Sequence, residues 1–163
     1  MQIDLDMVVS DPTSTPDKDD MHLSFQSGLL CVRRALGAFM DTLEPLALDE
    51  TEAGTVELVL AEALNNVVEH AYGDRTQGLV DLRWRHGPSG LLIAIRDHGK
   101  AMPEDNAMMV ERAFGPEARV DLPEGGYGWF IIRSLAHDIE YQRVDGQNTL
   151  TFRIAVGVQM TAT

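Results

Sequence analysis

The chain has 163 residues, enough for one domain with a sizeable core, and 44% of them are hydrophobic, an ordinary share for a globular fold. Its 26 acidic residues outnumber 13 basic ones, and the resulting formal net charge of −13 argues against nucleic-acid backbones and anionic lipid as partners. No apolar run approaches the roughly 20 residues of a membrane span, and the N-terminus lacks a basic start followed by an apolar stretch, so the expected location is cytoplasmic. The single cysteine, Cys31 in "GLLCVRRAL", is expected to be a reduced, packed thiol.

In chain order, "MQIDLDMVV" alternates Ile3, Leu5, Met7 and Val9 with polar residues, which is strand periodicity. "SDPTSTPDKDD" reads as a loop; alternatively, residues 1–20 form a disordered acidic tail, and residues 21–163 form the single folded domain. Ser24 is expected to cap a helix over 25–43, with Leu29, Val32, Leu36, Phe39 and Leu43 on its buried face, broken at Pro45. A second helix is predicted over 51–72 and ended by Gly73. "LVDLRWRH" and "LLIAIRDH" flank "GPSG" and read as an antiparallel hairpin. Residues 99–124 are weakly patterned, with at most a short helix over 106–113, and a connection of that length is expected to be a functional lid or disordered. A helix over 128–137 follows, then "IEYQRV", the turn "DGQN" and "TLTFRIAV". The order β-α-α-β-β-lid-α-β-β predicts an α+β fold, a two-layer sandwich whose mixed, mostly antiparallel sheet is covered on one face by helices.

Three stretches carry candidate chemistry. On the second helix, at about 100° per residue, Val56, Leu60, Leu64, Val67 and Ala71 share one side while Glu62, Asn66 and Glu69 lie opposite, flanked by Asn65 and His70. Such a stripe is ordinarily a solvated face, yet two consecutive asparagines are poor helix formers, and an Asn pair beside Glu offers oxygen ligands suited to Mg²⁺. The strand "LLIAIRDH" ends in Asp97, whose carboxylate can accept from an exocyclic amine, and Gly99 lets a flat ligand approach the backbone; by itself this is also a common strand-ending turn. Gly125, Gly126 and Gly128 feed a helix N-terminus, where backbone N–H groups and the helix dipole favour an anion such as phosphate. The spacing is neither a dinucleotide fingerprint nor a Walker loop.

Taken together and in this order, the three motifs resemble the ATP-binding domain shared by gyrase-type ATPases, the Hsp90 chaperone, sensor histidine kinases and the mismatch-repair ATPase. Within that superfamily the chain is most similar to small bacterial anti-sigma factors that are serine-protein kinases. Their E-x-x-x-N-x-x-x-H-[AG]-Y helix is matched by "EALNNVVEHAY", their adenine loop resembles "RDHGKAMP", and "GGYGWFIIRSLAHDIEY" and "GQNTLTFRI" resemble their phosphate loop with its helix and their closing hairpin. The likeness covers residues 21–156. It implies that Asn66 ligates Mg²⁺ bridging the ATP phosphates, that Glu62 is the general base for a serine hydroxyl, that Asp97 binds the adenine amine and Gly99 passes beneath the ring. It further implies that Gly125, Gly126, Tyr127 and Gly128 wrap the phosphates, with Asn65, His70 and Arg133 in support.

Two positions depart from the family pattern: Trp129 replaces a small aliphatic residue, where bulk is expected to reshape a lid hinge or mark a partner contact, and "AMPED" replaces the usual ending of the adenine loop. The implied activity is ATP-dependent phosphorylation of an anti-sigma-factor antagonist by a protein that otherwise sequesters a sigma factor, with a homodimer as the assembly. The alternative is an ATP/ADP-binding switch without efficient transfer. A histidine-kinase fragment ranks lower, because the chain leaves no room for a helical phosphoacceptor module before its first helix.

Overall fold

The computed structural model describes residues 20–72, 78–103 and 127–158. The strand expected at Ile3–Val9, the Gly73 helix stop, and residues 104–124 of the expected lid, with its short helix over 106–113, lie outside the described residues. Two segments differ from expectation. The described residues open with a strand, β1 (Met21–Gln26), where a Ser24 cap and the first helical turn were predicted. Leu23 is buried and Ser24 donates to Asp81 on the neighbouring strand, so this stretch is governed by a period of two, and Ser24 does not cap a helix. Helix α1 (Leu29–Thr42) therefore starts later, after Gly28. It buries Val32, Ala35 and Phe39, while Leu29, its first residue, is exposed. Cys31 is a free, half-buried thiol.

A 3₁₀ turn at Glu44–Leu46 carries Pro45 and breaks the helix as expected. Helix α2 (Glu50–Val67) is started by a capping box: Asp49 accepts from the Glu52 N–H, and the Glu52 carboxylate accepts from the Asp49 N–H. Its buried stripe is Val56, Val59, Leu60, Ala63 and Leu64. The helix continues into one π turn, Val68–Tyr72, with Ala71 buried.

The hairpin β2 (Leu79–Gly87) and β3 (Gly90–Asp97) forms as predicted. Gly90 has φ 122°, and a Cβ there would strike the Ile154 carbonyl, so glycine is required at this corner. After α3 (Tyr127–Leu135), β4 (His137–Val144) and β5 (Gln147–Ile154) complete a sheet of order β1-β2-β3-β5-β4. Every pairing among the described residues is antiparallel. The last hairpin turns on Asp145 and Gly146, both with positive φ, which is the two-residue turn that matches strand twist. Gln147 and Asn148, read from sequence as part of the turn, belong instead to β5.

Side chains alternate strictly on β3 and β5: Leu91, Ile93, Ile95 and Asp97 face inward, as do Asn148, Leu150, Phe152 and Ile154. The three helices cover that inner face, and Phe39 of α1 meets Trp84 of β2 edge-on at 4.8 Å between ring centroids. Trp129 of α3 is 2% exposed in the same core. This corrects the expectation of a surface partner contact: the residue after Gly128 points into the α2–sheet layer rather than outward. Asp49→Ala removes the α2 N-cap at an exposed position and is expected to cost about 1 kcal/mol, a fall of roughly 2–4 °C in melting temperature followed by circular dichroism.

Candidate nucleotide-binding site

Asp97 is the last residue of β3 and the last of its inward-facing series, so the alternation that buries Leu91, Ile93 and Ile95 also buries this carboxylate, to 4% exposure. Directly across the ladder stands Asn148, equally buried. The Asn148 amide donates to Asp97 Oδ1 at 2.8 Å and to the Lys100 carbonyl at 2.7 Å. Its oxygen accepts from the Tyr141 hydroxyl and from Arg143 Nη1, both at 2.7 Å, which fixes which way the amide faces. The Gly99 N–H also donates to Asp97 Oδ1, at 2.9 Å. Both bonds fall on one oxygen, leaving Oδ2 as the acceptor for a ligand donor.

The turn after β3 is tied on two sides. The Lys100 N–H donates to the Ala71 carbonyl at the π turn, and the Tyr72 hydroxyl accepts from the His98 N–H while donating to the Leu79 carbonyl. On the sheet side, Arg143 donates to the Gly99 carbonyl and the Met102 N–H donates to Tyr141. A Cβ on Gly99 would collide with the Ala71 carbonyl, so glycine there serves a close helix–turn approach.

These contacts wall a cavity. Ala63, Asn66, Val67, His70 and Ala71 line it from α2 and the π turn; Asp97, Lys100 and Met102 from the end of β3; Trp129 from α3; Tyr141, Asn148 and Leu150 from β4 and β5. At one end α2 meets α3. A Cβ on Gly128 would lie 2.6 Å from Glu62 Oε2 and 3.5 Å from Asn66 Oδ1, so the glycine lets α3 start directly over both side chains. Asn66 Nδ2 is buried without a hydrogen-bond partner among the described residues.

The structure thus brings Glu62, Asn66 and Gly128 together where α2 meets α3, and Asp97 and Gly99 at the turn after β3; of these, Asn66 and Asp97 line the cavity. Asn65 is half-buried and does not line the cavity, whereas His70 does. Tyr127 is the first residue of α3; Gly125 and Gly126 lie outside the described residues. Asn148, Tyr141 and Arg143 escaped the sequence reading, because "DGQN" was taken whole as a turn. Placing the turn on Asp-Gly alone puts Asn148 in phase with Leu150, Phe152 and Ile154.

Among the described residues no group of three or more His, Cys, Asp or Glu forms a metal cage. A hard cation here would rest on the Asn66 oxygen together with ligand phosphates, a donor set that suits Mg²⁺.

Burial pushes the Asp97 carboxyl above its ordinary value of 3.8, opposed by the bonds from Asn148 and Gly99 and the charges of His98 and Arg143. A raised folded-state value means that the stability this group contributes is present in full below 3.8 and lost as pH rises through the folded value. At neutral pH the ionised Asp97 is therefore a net cost to folding, as expected of a carboxylate kept for a ligand. The melting temperature of Asp97→Asn minus that of wild type is expected to become more positive between pH 3 and pH 7; a difference that shrinks would contradict this assignment.

Comparison with known proteins gives the family of the chain. The family model described as "Histidine kinase-like ATPase domain" matches residues 26–154. The chain is 33% identical over 97 residues to the serine/threonine-protein kinase BtrW of Bordetella bronchiseptica, covering 60% of this chain and 66% of the relative. It is 29% identical over 86 residues to the serine-protein kinase RsbW of Oceanobacillus iheyensis, covering 52% and 54%. It is 30% identical over 119 residues to the anti-sigma F factor of Clostridium beijerinckii, covering 72% and 78%. The match spans just under two thirds of the first of these relatives and about half of the second. From β1's last residue to the end of β5, the chain belongs to the histidine kinase-like ATPase domain family.

Proposed function

We propose that residues 21–163 form one ATP-binding domain that acts as a serine-protein kinase on an anti-sigma-factor antagonist and, between turnovers, sequesters a sigma factor. The observation that carries the kinase reading is the meeting of Glu62, Asn66 and Gly128, with Asn66 lining a cavity that the buried Asp97 also lines. The names of the relatives, serine-protein kinase and anti-sigma F factor, support the substrate and partner classes. No helix of the described residues is long and apolar enough to cross a membrane; a cytoplasmic place of action and a homodimeric assembly are further parts of this proposal.

In this reading Asp97 Oδ2 takes a hydrogen bond from the exocyclic amine of adenine, and Gly99 lets the ring lie close to the turn. Guanine, which presents a carbonyl oxygen in place of that amine, would set two acceptors against each other. The backbone of Gly125, Gly126, Tyr127 and Gly128 wraps the phosphates, with Asn65 and His70 in support, and the first turn of α3 favours the phosphate charge. Asn66 holds Mg²⁺, which when bound offsets the negative charge that gathers on the transferred phosphoryl group. Glu62 takes the proton of the incoming serine hydroxyl, making the oxygen a better nucleophile as it bonds to the γ-phosphorus while the bond from that phosphorus to the β–γ bridging oxygen breaks and ADP leaves.

Glu62→Gln keeps the size of the side chain and removes the base. Single-turnover transfer of labelled phosphate from ATP to the cognate antagonist is expected to slow by about 10²–10⁴-fold, with ATP affinity retained. Transfer at the wild-type rate would remove Glu62 from that role; absence of transfer in the wild type, with binding intact, would favour a nucleotide-dependent binding switch.

A further inference from the structure

Trp129 has an unexplained polar atom. The side chain is 2% exposed, and its Nε1–H has no acceptor among the described residues. An indole nitrogen can only donate, and a buried donor left without a partner is rare and unfavourable. The second such donor in this region is Asn66 Nδ2. Both residues line the cavity described above, Asn66 from α2 and Trp129 from α3. The sheet side of the same cavity holds the opposite polarity, because Asp97 keeps one carboxylate oxygen outside its bonds to Asn148 and Gly99. The cavity is thus lined on its helical side by two residues whose buried donors lack a partner among the described residues, and on its sheet side by a carboxylate with one oxygen outside those bonds.

We infer that Trp129 is a nucleotide-recognition residue, its indole N–H donating to an acceptor on the nucleoside half of the ligand, a ring nitrogen or a ribose oxygen. The inference rests on the nucleotide reading of the site and adds a contact to it. Trp129 lines the cavity together with Asp97, Tyr141, Asn148 and Leu150 as well as Asn66, whereas Gly128, one residue earlier, abuts Glu62 and Asn66 and is not part of the lining; the company of Asp97 and Asn148 is what points the indole to the nucleoside half. A planar base with an amine on one edge and acceptors on another satisfies both walls at once, and the large indole face supplies apolar surface for it.

The test uses the full chain and its two tryptophans, Trp84 and Trp129. Trp129→Phe retains an aromatic ring and removes the donor. Its affinity for ATP, measured by calorimetry with magnesium present, is expected to fall about 3–10-fold, the range for loss of one neutral hydrogen bond. Adenosine, which lacks phosphates, is expected to lose affinity by the same factor. In Trp84→Phe, where Trp129 is the remaining fluorophore, ATP is expected to change the emission; in Trp129→Phe the change is expected to vanish. Unaltered affinity in Trp129→Phe, or an ATP response that persists there and is absent from Trp84→Phe, overturns the inference. If Trp129→Phe fails to fold, the emission of Trp84→Phe still decides, since a silent Trp129 in a protein that binds ATP overturns it. A flat calorimetric titration of the wild type would overturn the nucleotide reading itself, and is told apart by appearing before any substitution.

Discussion

The site depends on one cross-strand pair. Asp97 and Asn148 face each other at the inner end of the β3–β5 ladder, both almost free of solvent contact. A buried carboxylate is tolerated only if its charge is met by donors. Here the donors are an amide held in one orientation by Tyr141 and Arg143, and the backbone of the turn that follows. The bonds that make the charge tolerable also hold the turn, since Asn148 and Arg143 reach the carbonyls of Lys100 and Gly99. The electrostatics of the pocket floor and the path of the chain out of β3 are therefore one arrangement.

The helical layer answers to the same floor. The capping box at Asp49 starts α2, the stripe from Val56 to Leu64 seats it on the sheet, and Ala63 of that stripe reaches the cavity together with Asn66, Val67 and, from the π turn, His70 and Ala71. Gly128 then allows α3 to begin against Glu62 and Asn66 with no side chain intervening. Three elements far apart in sequence thus meet around one space, each for a separate local reason: a helical period, a strand period and a missing Cβ.

Those local reasons explain what could be read without coordinates. The strands around "GPSG", the α2 stripe and the glycine-rich start of α3 are periodic or punctuated, and such patterns survive whatever the tertiary context. Glu62, Asn66, Asp97 and Gly128 were legible because each stands at a fixed phase of its element. The first strand was missed because Ser24 looks like a helix cap, and only pairing with β2 gives its hydroxyl to Asp81 instead. Asn148 was missed because a two-residue turn was read as four residues. Trp129 was noticed as unusual, but its burial depends on the packing of α3 against α2, which no local pattern encodes.

The π turn at Val68–Tyr72 gives α2 a second property. One turn wider than its neighbours by a residue, it allows His70 and Ala71, four and five positions after Asn66, both to line the cavity, while Tyr72 reaches across to His98 and Leu79. A regular α-helix of the same length would carry Tyr72 round by about a quarter of a turn and part it from those partners. The spacing from Asn66 to Tyr72 is thus a molecular length standard. Substitutions within it can be absorbed one side chain at a time, but the loss or gain of a single residue would unhook the turn after β3 from the helix that carries Asn66.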